Sequence, residues 1–563
     1  DDEITAMPNL VTIGAAATAS SVAGVTVYTA DSSIYIGADV SGTDDTAEHN
    51  VAVGVSALDA ITTGDKNIAI GRNAGGALNT GDRNVFIGDS SGDAATDAQY
   101  NVGIGNDAMT SLTSGHSNTA VGLNTHAALT TGDYNIAIGR QAADGFDTED
   151  HNLAIGMDAL GGSVAGGEYN VSVGNYTLDA LTSGDDNTVM GYQAGTGLTT
   201  GADNVLVGRT AGGTGAMTGD YNVFVGTGIG GNNALTSAYQ NVVIGREAAY
   251  YGTSFNTSVL VGYSAGKNIT NGAEIVAVGR NAYNNADTEA HNLAIGSDAM
   301  AGAVAGGEYN VAVGNATLDA LTSGDNNVAV GYNAGTSITT SSMNTIMGDA
   351  AGALLATGDG RNTIIGKDCF NAGTYTLQTG NNNIALGERC KVSATNANFQ
   401  FVIGSNVTSN GNSTTTIGYD TTEIATNHGS ASWAAVSDER YKKDIEDSTA
   451  GLAFINDLRP VTFKFKQKNE LDTDLYGYDA NSTDTDGYTD EVAHGFIAQE
   501  IKTAIDNHTE IKAGQEIWKE SPEAKGKRQN VSHIGMIPML VKALQEADDK
   551  IDALTARVTT LEG

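Results

Sequence analysis

The sequence predicts a mainly β protein, in which a β-solenoid of coils about 17 residues long precedes a small α+β domain that ends in a helix. A five-residue phrase, Asn-apolar-small-apolar-Gly, recurs 22 times at steps of mostly 17 or 18 residues, as in NVAVG at Asn50–Gly54 and NIAIG at Asn67–Gly71. A fixed period this short indicates one structural unit stacked on itself along a line. After residue 436 the phrase is absent, and Lys, Arg and Pro become more frequent. This change in composition predicts the second domain.

Each repeat predicts one coil of the solenoid. In the [VI]-A-[VI] stretch the branched residues share one face and the small residue takes the other. Val and Ile favour a strand, and the T-G-D-x-N segment supplies turn residues that tolerate left-handed backbone. Strands of successive coils should pair in parallel about 4.8 Å apart, so the coils would extend over roughly 100 Å. The recurrent Asn is predicted to satisfy turn backbone groups, with metal binding by stacked Asp-x-Asn as the alternative.

The charge and composition argue against several classes of partner. The net charge is −38, which disfavours nucleic acid and anionic bilayers because both would be repelled. No apolar run approaches the roughly 18 to 20 residues of a membrane span, so no membrane insertion is predicted. The sequence starts with Asp1 and shows no leader, and we expect an N-terminal anchor to be missing from it. No cofactor and no metal site are predicted.

The thin coil predicts a homotrimer. Its interior position is mostly Ala, so a single chain buries little apolar area per residue. Long exposed rows of Val and Ile would also favour unwanted strand pairing. Three chains around one axis would bury a face of each coil and remove both problems. The repeat resembles the head repeats of trimeric autotransporter adhesins and the shafts of phage tail fibres, and both resemblances imply a trimer.

Two further features of the repeat leave alternatives open. Cys369 and Cys390 occupy the same site of consecutive coils, where most coils carry Ala. They are either small core residues or, with Cα atoms about 5 Å apart, within reach of a disulfide. A column of tyrosines just before the repeat Asn predicts either a packed ladder or a stripe for stacking glycans; its members are Tyr100, Tyr134, Tyr169, Tyr221 and Tyr309.

The chain from Ser437 onward carries three short motifs and a terminal helix. The motifs are S-D-x-R-x-K, L-R-P-V-x-F and G-F-I-A-Q-E. Apolar residues of the helix recur at spacings of 3, 4 and 7, which predicts a short coiled coil; they are Leu540, Leu544, Ile551, Leu554, Val558 and Leu561. Together these parts resemble the intramolecular chaperone auto-processing domain at the C-termini of phage tail fibres, tailspikes and endosialidases.

That resemblance implies a domain that assembles three chains and then cleaves itself off. It implies Ser437 as the nucleophile and Lys442 as the general base, with the scissile bond between Val436 and Ser437. Desolvation at a trimer interface would lower the pKa of the Lys. The amine would then be neutral and could accept the hydroxyl proton. Lys443 is an alternative base. The non-catalytic alternative is an ordinary Ser-Asp helix cap followed by charged residues.

The predicted organisation is an N-terminal connector (1–44), a solenoid shaft (45–418), a linker to the cleavage site (419–436) and a chaperone auto-processing domain (437–563). The predicted function is a virion tail fibre or tailspike, assembled in the host cytoplasm. Its shaft would attach to a host cell-surface receptor, either a glycan or an outer-membrane component, and its missing anchor would bind other virion tail proteins. The only enzymatic activity expected is self-cleavage.

Two other functions are weighed. A polysaccharide-degrading tailspike needs paired carboxylates about 5 to 9.5 Å apart in a cleft. The longest step between phrase glycines is 21 residues, which leaves little chain to build a cleft wall. A bacterial trimeric surface adhesin needs a membrane anchor after the shaft, where the self-processing motifs stand instead.

Overall fold

The structure is a computed structural model. It describes residues 20–22, 25–30, 32–37, 46–163, 165–231, 235–285, 287–358, 360–371, 377–428, 434–435, 439, 443–473, 478, 480, 492–511, 517–520 and 529–563. The chain divides into two compact units, Asp1–Val436 and Ser437–Gly563.

The first unit is built from short strands, most of them three residues long. In chain order they are β1 Ser20–Val22, β2 Val25–Ala30, β3 Ser33–Ile36, β4 Val51–Val53, β5 Ile68–Ile70, β6 Val85–Ile87, β7 Val102–Ile104, β8 Thr119–Val121, β9 Ile136–Ile138, β10 Leu153–Ile155, β11 Val171–Val173, β12 Thr188–Met190, β13 Val205–Val207, β14 Val223–Val225, β15 Val242–Ile244, β16 Val259–Val261, β17 Val276–Val278, β18 Leu293–Ile295, β19 Val311–Val313, β20 Val328–Val330, β21 Thr345–Met347, β22 Thr363–Ile365, β23 Ile384–Leu386, β24 Gln400–Ser405, β25 Thr414–Tyr419, β26 Thr422–Asn427 and β27 Ala434–Ala435.

The strands from β3 to β25 form one parallel stack, each paired with the strand of the next coil. The register follows the sequence repeat, so that Ala52 of β4 lies beside Ala69 of β5, and Ala69 lies beside Phe86 of β6. The predicted β-solenoid with stacked [VI]-x-[VI] strands is therefore confirmed. Both ends of the stack are antiparallel: β1 and β2 precede β3, while β26 and β27 follow β25.

The middle residue of each three-residue strand points into the coil and is buried, as at Ala69 and Ala120. The residues on either side of it point outward and are partly exposed. Leucines from the turn segments, such as Leu112 and Leu129, complete the interior. The core is one continuous column of small and branched apolar side chains, which confirms that the small residue takes the interior face.

The recurrent Asn forms a buried ladder beside the strands. Asn118 donates from its side-chain amide to the carbonyl of Gly132 at 2.8 Å and to the side chain of Asn101 at 3.1 Å. The backbone N–H of Asn118 also donates to the side-chain oxygen of Asn101 at 2.9 Å. Equivalent bonds join most neighbouring coils. The predicted role of the Asn in satisfying turn backbone is confirmed.

The glycine that closes each phrase is required by close stacking. Gly71 has a φ of +142°, and a Cβ atom placed on it would lie 2.1 Å from the carbonyl oxygen of Gly88 in the next coil. Any side chain would therefore both strain the backbone and separate the coils. The same conflict recurs at Gly88 and Gly122, so this position is glycine along the stack.

The second unit contains short helices and two-stranded sheets around a small core. Its elements are α1 Leu452–Asp457, β28 Val461–Phe463, β29 Ala493–Gly495, α2 Ala498–Asn507, β30 Trp518–Glu520, β31 Gln529–Val531 and α3 Ile537–Glu562, with 3₁₀ turns at Lys468–Glu470 and Ile534–Met536. Strands β28 and β29 pair antiparallel, as do β30 and β31. Phe454 of α1 is fully buried and packs with Ile501 and Ile505 of α2.

Candidate functional site

The predicted cleavage site is only partly within the described structure. Val436, Ser437 and Lys442 lie outside the described residues. The alternative base, Lys443, is described and exposed. The Ser–Lys dyad and the scissile bond therefore stay predictions. The described part of the candidate site consists of the elements of the second unit that carry the L-R-P-V-x-F and G-F-I-A-Q-E motifs, together with their neighbours.

Two of the motifs are brought side by side. Strand β28 belongs to the L-R-P-V-x-F motif and β29 leads into G-F-I-A-Q-E, and their pairing places Val461 opposite Gly495. Arg459 and Glu500 connect the same two motifs: the guanidinium Nε donates to the carboxylate at 3.0 Å. The hydrogen bond from Arg459 lowers the pKa of Glu500. Both side chains are exposed, so this ion pair orients the motifs more than it stabilises them.

The long C-terminal helix is joined to the start of the unit. The carboxylate of Glu546 on α3 accepts a hydrogen bond from the backbone N–H of Leu452 at 2.8 Å. Leu452 is the first residue of α1, where backbone N–H groups have no partner inside the helix. No side chain of the residue before it caps α1, so Glu546 supplies a cap from a distant part of the chain. The first part of α3 therefore packs against α1.

A histidine between two carboxylates fastens α1 to α2. His508, which directly follows α2, is hydrogen-bonded through Nε2 to Asp457 of α1 at 2.8 Å and through Nδ1 to Glu510 at 2.7 Å. Its side chain is 13% exposed, and its ring packs edge-on against Phe454. The hydrogen bonds that Asp457 and Glu510 accept from the ring raise the pKa of His508. The contact is a charge-assisted clamp, and both ring nitrogens are occupied.

A cavity of about 640 Å³ lies where α1, the β28–β29 pair and the start of α3 meet. Most of its lining is apolar, and His494 and His533 are the titratable residues in it. Phe496 stands beside His533 with ring centroids 5.7 Å apart. The other lining residues are Ile455, Leu458, Pro460, Val461, Thr462, Gly495, Met536 and Leu540.

Beyond the cavity, α3 presents an apolar seam to solvent in the single chain. All six residues predicted to form a coiled-coil seam are exposed, from Leu540 to Leu561. Within α3, Ala543 is the buried residue. A helix that exposes such a stripe lacks the apolar contact that stabilises helices in water. The seam is therefore an unpartnered apolar surface of the single chain.

The solenoid presents a second unpartnered apolar surface. The outward residues of β4 to β23, here called the strand face, are almost all Val, Ile, Leu or Met, with Thr at a few sites. Ile136 and Ile138 of β9 are typical, at 41% and 39% exposed. The strand face contains no charged residue, although the protein as a whole carries −38. Continuous exposed apolar surfaces mark interaction sites.

The tyrosine column lies beside the strand face. Its rings are about half exposed, and some stack on neighbours in adjoining coils. Tyr134 and Tyr169 stack on the two sides of His151, with centroids 5.1 and 4.9 Å away, and His291 stacks on Tyr309 at 4.7 Å. For these rings the packed ladder is observed.

The repeated Asp residues have backbone partners. The carboxylate of Asp65 accepts from the N–H of Glu48, and that of Asp133 accepts from the N–H of His116. No group of three or more His, Cys, Asp and Glu side chains within the described ranges is placed to hold a metal ion. Across the same ranges, no helix has both the length and the apolar character that crossing a membrane requires.

Comparison with known proteins adds one match. Residues 437–510 match the family described as the chaperone of endosialidase. The match begins at Ser437 and contains all three motifs, together with α1 and α2. A β-solenoid followed by such a segment fits a tailspike or fibre with a C-terminal chaperone domain. Searches of curated proteins and of solved structures found no match to the chain.

Sequence reasoning missed Glu546 and His508 as residues that organise this unit. Their partners are 94 and 51 residues away along the chain. No local pattern distinguishes a carboxylate that caps a remote helix from a solvated one. The signal that pointed to this region was the set of motifs, and it located the segment without revealing these contacts.

Proposed function

We propose that this protein is the shaft of a homotrimeric virion tail fibre or tailspike, which attaches to a receptor on the host cell surface. The observation that carries the proposal is the combination of the exposed strand face with a segment that matches the chaperone of endosialidase family. Three solenoids side by side would bury the strand faces against one another. The receptor would be a glycan or another outer-membrane component, and an N-terminal anchor would join the shaft to other tail proteins.

The second unit would act as the chaperone of this assembly, in the host cytoplasm. Aligning three thin solenoids in register is slow because the contacts form only after long segments have been ordered. The exposed seam of α3 would bring three chains together first. Cleavage between Val436 and Ser437 would then release the unit, which makes disassembly of the finished shaft kinetically slow.

The strand-face contact is tested by placing a charge on it. Ile138→Asp should yield monomers or aggregates, because burying three carboxylates at a trimer axis is strongly unfavourable. The matched control is Leu354→Asp, since Leu354 is similarly exposed, at 44%, but lies outside the strands. Sedimentation equilibrium should show trimers for the wild type and the control. Monomeric wild-type protein, or trimers of Ile138→Asp, would contradict the proposal.

Self-cleavage is tested separately, by denaturing electrophoresis with N-terminal sequencing of the released fragment. Wild type should give a fragment that starts at Ser437. Ser437→Ala and Lys442→Ala should remain full-length, about 57.5 kDa, and still trimerise. Lys443→Ala should cleave normally and serves as the matched control. Cleavage by Ser437→Ala, or a fragment with another start, would show that the dyad does not operate.

The chaperone role has its own test. A chain that ends at residue 436 should fail to reach the soluble trimer when it is expressed without the second unit. Co-expression of the second unit on a separate chain should not rescue it, because the seam of α3 must be tethered to each shaft. Soluble, heat-resistant trimers from the truncated chain would refute this role.

A further inference from the structure

The two cysteines of this protein occupy equivalent positions of neighbouring coils. The chain contains only two, Cys369 and Cys390. Strands β22 and β23 pair with an offset of 21 residues, which aligns Thr363 with Ile384. The same offset separates the two cysteines, so they are direct neighbours across the coils. In most other coils this position is alanine, which shows that the fold does not require sulfur here.

A backbone hydrogen bond joins the two coils beside the cysteines. The N–H of Phe370, next to Cys369, donates to the carbonyl of Cys390 at 2.7 Å. Both side chains are fully buried, and both are free thiols in this structure. The thiol of Cys390 donates a hydrogen bond to the carbonyl of Gly404 at 3.3 Å, and the neighbouring Cys369 lowers the pKa of Cys390. The contact with Cys390, together with burial, raises the pKa of Cys369.

The location gives such a pair a mechanical consequence. The step from Gly366 to Gly387 is 21 residues, the longest between phrase glycines. This coil has more chain to order than its neighbours. A covalent link between its first turn and that of the following coil would close the extra segment into a loop, which reduces the conformational freedom of the unfolded chain.

We propose that Cys369 and Cys390 form a modification site, a disulfide that fastens two adjoining coils once the protein meets a small-molecule disulfide such as oxidised glutathione. The proposal is independent of the attachment function. Because both thiols are buried, the oxidant would reach them when the coils separate transiently. A bond here needs little movement, since stacked neighbours have Cα atoms about 5 Å apart, within the range of disulfides.

The reaction is an ordinary two-step exchange. The thiolate of Cys390 attacks one sulfur of oxidised glutathione, and one glutathione thiolate leaves. That thiolate takes the proton of Cys369, whose thiolate then attacks the Sγ of Cys390 and expels the second glutathione. Two protein thiols are thereby oxidised, and one glutathione disulfide is reduced to two thiols.

The test is peptide mapping of the full chain after incubation with oxidised glutathione, a few degrees below its unfolding midpoint. Remaining thiols are alkylated in denaturant, and the protein is digested with trypsin without reduction. Cleavage after Lys367, Arg389 and Lys391 leaves the two cysteines on separate peptides. We expect one new species, in which the peptide from 368 to 389 is linked to Cys390–Lys391, and its loss on reduction. A parallel non-reducing gel should show no covalent dimer of chains.

Matched controls come from the other coils, most of which carry alanine at this site. Cys369→Ala and Cys390→Ala should fold and should give no linked peptide. The unfolding midpoint should be higher for the oxidised wild type than for the reduced wild type, and should not respond to oxidation in the double alanine variant. Recovery of both cysteines as alkylated thiols, as separate glutathione adducts, or as a link between two chains would overturn the proposal.

Discussion

The side-chain oxygen of Asn118 accepts a hydrogen bond from the backbone N–H of Asn135, one coil further along, at 2.8 Å. The side-chain amide of Asn118 also donates to the carbonyl of Gly132, so both of its backbone partners belong to the next coil. Both asparagines are fully buried, so the groups that they pair have no access to water. Through the ladder, the side chains of one coil fix the position of backbone groups in the next coil.

The first prediction concerns this ladder. Asn118→Ala leaves the N–H of Asn135 and the carbonyl of Gly132 without their buried partners. A loss of about 2 to 4 kcal/mol in the free energy of unfolding is expected, measured by urea denaturation. Asn118→Ser is the matched control, because Ser258 stands in the ladder naturally and its hydroxyl accepts from the N–H of Ile275. The serine variant should recover part of the loss; equal losses would argue against the hydrogen bonds as the cause.

The second prediction separates close stacking from backbone strain. Gly71 and Gly411 have nearly the same φ, +142° and +141°. A Cβ at Gly71 would lie 2.1 Å from the carbonyl oxygen of Gly88, whereas no atom lies within 4 Å of a Cβ at Gly411. Gly71→Ala should therefore abolish folding of the adjoining coils, while Gly411→Ala should cost about 1 to 2 kcal/mol. Similar unfolding midpoints for the two variants would show that strain, and not the clash, requires glycine.

The third prediction concerns a buried histidine in the solenoid. His126 stands where equivalent coils carry leucine, as at Leu58 and Leu178, and it is fully buried beside Phe146. Desolvation lowers the pKa of His126 to about 3. As pH falls from about 6.5, the unfolded chain takes up this proton first, so stability should fall until about pH 3, by at most about 5 kcal/mol. His126→Leu should be more stable at neutral pH and should lose this part of the acid sensitivity.

Urea denaturation of the two proteins at pH 7, 5 and 4 provides the measurement for His126. The difference between His126→Leu and wild type should widen as the pH is lowered. A constant difference over this range would mean that the histidine does not titrate on unfolding.

The fourth prediction concerns the clamp in the second unit. The pKa of His508 is raised, first by its bond to Asp457 and then by Glu510. The stabilisation is therefore complete below the unfolded value near 6.5 and is lost as pH rises through the folded value. Asp457→Asn should lower the pKa of His508, as followed by the shifts of its ring protons in NMR. Asp506→Asn is the control, because Asp506 pairs with Lys502 instead; an unchanged His508 pKa in Asp457→Asn would contradict the clamp.

Most of the first unit could be predicted because its physics is local and repeated. The period, the alternation in [VI]-x-[VI] and the closing glycine each specify a property of a single coil, and stacking multiplies it. Departures from the repeat are where prediction fails. Ile275 stands at the ladder position but has no side-chain amide. The sequence alone does not show how the hydrogen bonds of Ser258 and Asn292, in the adjoining coils, change in response. In the structure Asn292 turns to the hydroxyl of Tyr283 instead, at 2.9 Å.

The second unit was predictable only through its motifs. They located the segment, and by resemblance they predict a dyad in it, but the contacts inside the unit join residues that are far apart in sequence. The hydrogen bond between the Leu452 N–H and the Glu546 carboxylate depends on how α3 packs against α1, and no sequence periodicity predicts that packing. Charge pairs such as His508 with Asp457 are equally unpredictable, because nothing in the local sequence distinguishes either residue from a solvated polar side chain.

The antiparallel hairpins at the two ends of the stack have a consequence for growth. A parallel stack of identical coils exposes, at each terminus, a strand whose backbone groups could pair with the terminus of another molecule. Here the described sheet ends in β1 and β27, of three and two residues, each paired with a strand, β2 or β26, that runs against the direction of the stack. End strands so short, separated from the stack by a reversed strand, offer a poor template for a further coil. The hairpins at the two ends of the stack thus disfavour end-to-end pairing between molecules, so that a highly repetitive sequence forms a stack of fixed length and not a polymer.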